Sequence, residues 1–228
     1  MSNNKSKVSI RVWDAWIRIF HWVLVVAIGF MLVSGETGFL FFDWHRRVGE
    51  FVLVLILFRL IWGFIGSSNI SLVGLFTNPL KVFSHLAQLL RGAIPPTRGH
   101  NAAGGWAVVV MLLSISFQAI SGLFIADEDA LIEGYFYGEL SSSTSEQLLH
   151  LHHLNAELLI ILVSAHVLMV FFYLVRTGHN LVTPMITGRM YWHSEQEPPA
   201  VKFTKPSVGL VLICICFGVV GSLFDWFN

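Results

Sequence analysis

Two histidines, His152 and His166, stand fourteen residues apart in one apolar segment, LHHLNAELLIILVSAHVLMVFFYLV, at 151–175. At about 100° per residue, fourteen steps fall within roughly 40° of whole helical turns, so both imidazoles leave the same helix face. A rise of about 1.5 Å per residue sets them about 21 Å apart along the axis, against a bilayer core about 30 Å thick. One ring therefore falls near each membrane surface. Imidazole is a common axial ligand of haem iron. Two such ligands at two depths point to two stacked haems that carry electrons across a membrane.

The composition supplies that membrane. Of the 228 residues, 55% are hydrophobic and 12% are charged, and the mean hydropathy is +0.69. These values are far from those of an ordinary soluble domain. The formal net charge is zero, so no bulk field points to nucleic acid. Cys214 and Cys216 are the only cysteines, and on a helix they face different ways. No CxxCH occurs, which excludes covalently attached haem. The first apolar stretch is long and lacks a small-residue cleavage site, so it reads as a retained anchor rather than a signal peptide.

Five segments are long enough to span: 16–34, 45–65, 105–125, 149–175 and 207–227. Gly66, Pro79, Pro95-Pro96, Gly138 and Pro198-Pro199 punctuate the gaps. The stretch PLKVFSHLAQLLR at 79–91 has apolar residues at helical spacing and is expected to lie along the surface. The expected fold is an all-α integral membrane protein. Residues 1–190 form a four-helix transmembrane bundle holding two haems, and 191–228 form a linker and a fifth, C-terminal transmembrane helix.

Charge orients the spans. Lys5, Lys7 and Arg11 precede the first, Lys81, Arg91 and Arg98 separate the second from the third, and Arg176, Arg189, Lys202 and Lys205 follow the fourth. With five spans these segments share one side. The other side carries Arg46 and Arg47 with the acidic run Asp127, Glu128, Asp129, Glu133, Glu139 and Glu146. The positive-inside rule puts the N-terminus in the cytoplasm. The acidic loop reads as an ordinary solvated loop, or as a face toward an external partner.

Depth then pairs the histidines. His21 lies early in the first span, on the cytoplasmic side, and matches His166. His45 opens the second span, on the outer side, and matches His152. Imidazoles buried in a bilayer are costly and usually functional. A zinc site needs three or four ligands within a few ångström, and each depth offers one pair, which suits bis-imidazole haem. The outer end of the fourth span holds a crowd. His153 is about 100° round from His152 and His150 about 200° round, so the helix geometry favours His152 over both.

The stretch VWDAWIRIFHW at 12–22, FRLIWGFIGS at 58–67, GHNAAGGWAVVVMLLSISFQAISGLF at 99–124 and ITGR at 186–189 together resemble the bacterial di-haem cytochrome b561 family. That family also covers the b-type cytochrome subunits of nickel–iron hydrogenases. The likeness covers about residues 10–190. It implies that the first and fourth helices hold one haem and the second and fourth the other, which gives His21–His166 and His45–His152. It also implies two non-covalent haem b groups and a quinone site near one of them. His100 and Asn101 are polar groups at a suitable depth for quinone, although a helix cap explains them as well.

Arg18, three residues before His21, could pair with a propionate of the inner haem, and Arg46 and Arg47 with one of the outer haem. Arg59 sits about two turns inside the second span, where a charge needs a partner such as a propionate or Asp14, or satisfies itself by snorkelling to the cytoplasmic surface. Gly29, Gly35, Gly49, Gly105 and Gly122 lie along the haem-facing helices, where a missing side chain admits a flat macrocycle or a neighbouring helix. The tryptophans mostly flank span ends and read as interfacial belts.

The expected function is transmembrane electron transfer between the quinone pool and a periplasmic redox partner, a cytochrome c or a hydrogenase-type subunit. The chain reads as an electron-transfer subunit of a bacterial inner-membrane respiratory system, in contact with lipid. One competing reading is a free-standing oxidoreductase acting on a small molecule such as superoxide with quinone. Another is a non-redox transporter or scaffold whose histidines bind protons or zinc.

Overall fold

The computed structural model describes residues 8–37, 41–92, 97–127, 132–178, 180–192 and 197–227. Lys5, Lys7, Glu128 and Asp129 of the charge pattern, and the Pro95-Pro96 break, lie outside the described residues. The chain opens with strand β1 (Val8–Arg11), helix α1 (Ala15–Thr37) and helix α2 (Phe42–Ile65). A surface helix α3 (Leu80–Arg91) precedes α4 (Ala102–Ser121), a short β2 (Ala126–Asp127) and β3 (Ile132–Glu133) pair, and α5 (Ser142–Thr177). A single-turn α6 (Val182–Thr187), strand β4 (Arg189–Trp192) and α7 (Pro206–Leu223) complete it. Five of these helices, α1, α2, α4, α5 and α7, are long and apolar enough to cross a membrane.

Polar residues place the helix ends. The Asp14 carboxylate accepts from the Ile17 amide at 2.9 Å and caps α1. The Asn101 side chain accepts from the Gly104 amide at 2.8 Å and caps α4. The hydroxyl of Ser141 accepts from the Thr144 amide at 3.3 Å, so α5 starts at Ser142, well before the expected 149. Hydropathy hid this extension, because a capped polar turn outside the bilayer needs no apolar residues. In contrast, α4 stops at Ser121 rather than 125. There the Leu123 amide turns back to Ile120 O at 3.1 Å and the chain enters the β2–β3 pair. Similarly, α7 stops at Leu223, before 227, and Asp225 takes φ 51 in the turn that follows.

The chain divides into two compact units, each drawing on several helices. The first comprises Met1–Ile19, Leu60–Val109 and Ala165–Gly209. Here β1 pairs antiparallel with β4, from Val8 opposite Trp192 to Arg11 opposite Arg189. The ITGR motif sits at the turn into β4: Gly188 has φ 78, and its carbonyl accepts from the amides of Val12 and Trp13 at 2.8 and 3.2 Å. A side chain at 188 would meet the Trp13 carbonyl at 2.9 Å, so glycine is required for both conformation and space. Arg98 donates to the Arg11 carbonyl at 2.8 Å and to Pro199 O. Arg176 donates to Leu90 O at 2.7 Å and holds the end of α3. As expected of a surface helix, α3 turns His85 and Leu89 inward and leaves Leu80, Phe83 and Leu90 exposed.

The second unit comprises Phe20–Arg59, Val110–Ser164 and Leu210–Asn228. Its core is Ala27 of α1, Val52 and Ile56 of α2, Ile115 of α4 and Leu159 of α5, so four spanning helices meet in one apolar cluster. Polar bonds pin α4 to α5: Ser114 Oγ donates to Asn155 Oδ1 at 2.7 Å, and Asn155 Nδ2 donates to Gln118 Oε1 at 2.6 Å. The turn after α7 packs on the loop before α5. Phe224 lies against Tyr135 and Phe136, and Tyr135 Oη donates to Asp225 Oδ2 at 2.8 Å. Trp226 Nε1 donates to the buried Glu50 carboxylate at 2.8 Å. That gives the C-terminal helix a packing role within this unit.

Candidate cofactor-binding site

The second unit brings His45 and His152 together at a polar cluster built by four helices. Ser34 lies near the end of α1, His45 in the first turn of α2, Ser121 at the last residue of α4, and His152 in the third turn of α5. Ser34 Oγ lies 2.8 Å from His45 Nδ1, and Ser121 Oγ lies 2.9 Å from His152 Nδ1. Each serine hydroxyl also donates to the carbonyl three residues back, Met31 O and Gln118 O, both at 3.2 Å. His45 and His153 are both near enough to His152 to interact with it electrostatically.

Glycine follows each serine. A Cβ on Gly35 would sit 3.6 Å from His45 Cε1, an ordinary contact, and one on Gly122 would sit 3.2 Å from His152 Cε1, which is tight. Gly49 faces the Met31 methyl at 3.4 Å, and Gly105 approaches the Leu75 carbonyl in the first unit, so that glycine serves packing. The neighbours of His152 differ from it. His150 and His153 are exposed, whereas His152 is half-buried with its Nδ1 held. The His152 and His153 rings are 6.3 Å apart at 60°.

The other sequence candidates fall elsewhere. His21 is a half-buried residue of the second unit, edge-on to Trp22 at 5.1 Å. His166 is half-buried on α5 and belongs to the first unit. Arg18 gives its Nε to Asp14 O at 3.2 Å and its Nη1 to Ile186 O. Arg46 Nε lies 3.8 Å from Glu50 Oε1. Arg59 is 2% exposed, deep in α2. Asn101 caps α4 and also donates to Tyr173 Oη at 2.8 Å, and the His100 ring lies 5.0 Å from that of Trp13, tilted at 53°.

Two further residues had escaped the sequence reading. His85 and Tyr173 hydrogen-bond to each other beneath α3, and burial lowers the pKa of the His85 imidazole. Ser34 and Ser121 were missed too, although the dipeptide Ser–Gly occurs in the chain only at 34–35 and 121–122. That repetition was the available signal.

The donor set suits haem better than a lone metal ion. Among the described residues, no group of three or more His, Cys, Asp or Glu side chains could hold a metal. What the second unit offers is one imidazole pair, His45 and His152, each with its Nδ1 beside a serine hydroxyl, the arrangement in which a histidine binds a metal through its other ring nitrogen. The family model described as prokaryotic cytochrome b561 matches residues 12–188. No curated protein matches the chain.

Proposed function

The chain belongs to the prokaryotic cytochrome b561 family, and from that premise we propose that it carries electrons between a quinone and a periplasmic redox protein through two bis-histidine haems. Members of the family transfer electrons across membranes through b-type haem, and this chain is a multi-pass bacterial membrane protein of that kind. When bound, haem ligated on both faces by imidazole supplies one-electron oxidation and reduction and leaves iron no open position.

The residues then take these roles. His45 and His152 hold the outer group and His21 and His166 the inner one, with the N-terminus in the cytoplasm. The helix α5 serves both groups, since His152 and His166 lie on one uninterrupted helix. Arg46 and Arg59 are basic groups for propionates. Arg18 keeps N–H donors beyond the two it gives to carbonyls, since a guanidinium carries five. The periplasmic partner is a cytochrome c or a hydrogenase-type subunit, which makes this chain an electron-transfer subunit.

The observation that carries the reading is the matched environment of His45 and His152, each with Nδ1 on a serine hydroxyl and Cε1 against a glycine. It also favours His152 over His150 and His153. The test is haem content and the reduced-minus-oxidised spectrum of the purified protein. Two haems per chain are expected, with His152→Ala and His166→Ala each leaving one. Retention of both haems in His152→Ala, with loss of one in His153→Ala, would refute the outer ligand assignment.

A further inference from the structure

We infer that Ser34 and Ser121 are positioning residues that fix the tautomer and orientation of His45 and His152, so that both rings present an Nε2 lone pair to one iron. The inference rests on the haem reading above and deepens it. A hydroxyl has a single proton to give. The Ser34 proton goes to Met31 O, since a carbonyl can only accept. The His45 Nδ1 at 2.8 Å from the same oxygen must therefore be the donor. The identical argument runs through Ser121, Gln118 O and His152 Nδ1.

A neutral imidazole protonated at Nδ1 has its lone pair at Nε2. A histidine that ligates a metal almost always donates its second ring N–H to an oxygen, which fixes the ring and raises its basicity. Both serines are nearly inaccessible, at 3% and 2% exposure, so water does not compete for these bonds. Their hydroxyls also lie on α1 and α4, whereas the rings they hold lie on α2 and α5. The same two-residue device thus acts at two unrelated helix ends on two ligands of one site.

The experiment uses the purified full-length protein with its haems. Ser34→Ala and Ser121→Ala should raise the midpoint potential of one and the same haem, because its ligand loses an electron-donating hydrogen bond. A tenfold shift in the ferric-to-ferrous ratio at fixed poise, about 59 mV for one electron, is the expected scale. The electron paramagnetic resonance g-values of that haem should move with it, and those of the other haem should not. Ser34→Thr and Ser121→Thr keep the hydroxyl and should restore both signals. Loss of that one haem from an alanine variant, regained in the threonine variant, supports the role equally. Alanine variants that match the parent in potential and g-values overturn it, as do threonine variants displaced as far as the alanine ones. A parent protein without haem, or a His45→Ala protein with two, refutes the underlying haem reading instead.

Discussion

The two units use hydrogen bonds for different ends. In the first, charged donors seize backbone: Arg98 holds Arg11 O and Pro199 O, Arg176 holds Leu90 O, and Gly188 O ties down the amides after β1. In the second, uncharged serine and asparagine side chains bridge neighbouring helices, as in Ser34 with His45, Ser121 with His152, and Ser114 with Asn155. The first pattern fastens segments far apart in sequence to one another. The second holds rings at fixed angles and adds no charge beside them. Stability and ligand geometry are therefore expected to respond to different substitutions.

The largest stability effect should come from Arg98→Ala, which leaves two carbonyls without a charged donor. The expected loss is about 1–3 kcal/mol, read as a lower thermal midpoint in detergent, with an unaltered haem spectrum. A spectral change of equal prominence would erase the distinction between the units. Gly122→Ala should do the reverse. Its new methyl group would press His152 Cε1 at 3.2 Å, whereas the one in Gly35→Ala would meet His45 at an easy 3.6 Å. The g-values of one haem should shift in the first variant and hardly at all in the second, with roughly 1 kcal/mol of stability at stake. Equal shifts in both would show that the ring contacts are not what matters.

The smallest effect concerns His85. Its folded pKa is lowered by burial, so the undocked state of α3 binds the proton more readily. The stabilising contribution is therefore complete above about pH 6.5 and falls away as acid protonates the undocked ring. Hydrogen-exchange protection along α3, taken relative to the intrinsic amide rate, should fall on acidification, and His85→Phe should remove that fall. A pH-independent α3 would mean that burial of the ring is not coupled to docking.

Much of this was legible in the sequence because the bilayer writes in long words. Apolar runs located all five spanning helices, and the motifs at 12–22, 58–67, 99–124 and 186–189 identified the family. What escaped was short or polar. The serine cap at Ser141 extends α5 where hydropathy had already faded. The β1–β4 pair joins residues that no local pattern links. The glycines along the spanning helices were read as room for a macrocycle or a neighbouring helix, and two of them, Gly35 and Gly122, lie against the His45 and His152 rings. Ser34 and Ser121 passed as ordinary helix residues, since a serine that bonds back to its own helix leaves no mark in periodicity.

The match to the family ends at residue 188, yet the indole of Trp226 donates to Glu50, a carboxylate only 4% exposed in α2. A polar group so deeply placed is costly once its donor is gone. Shortening the chain to the recognisable family core would thus take the indole donor from Glu50, leaving it only Arg46 at 3.8 Å, and release the Asp225 contact to Tyr135. The border that sequence comparison draws and the border of what folds together are different lines in this protein, and the last few residues before the C-terminus lie inside the second.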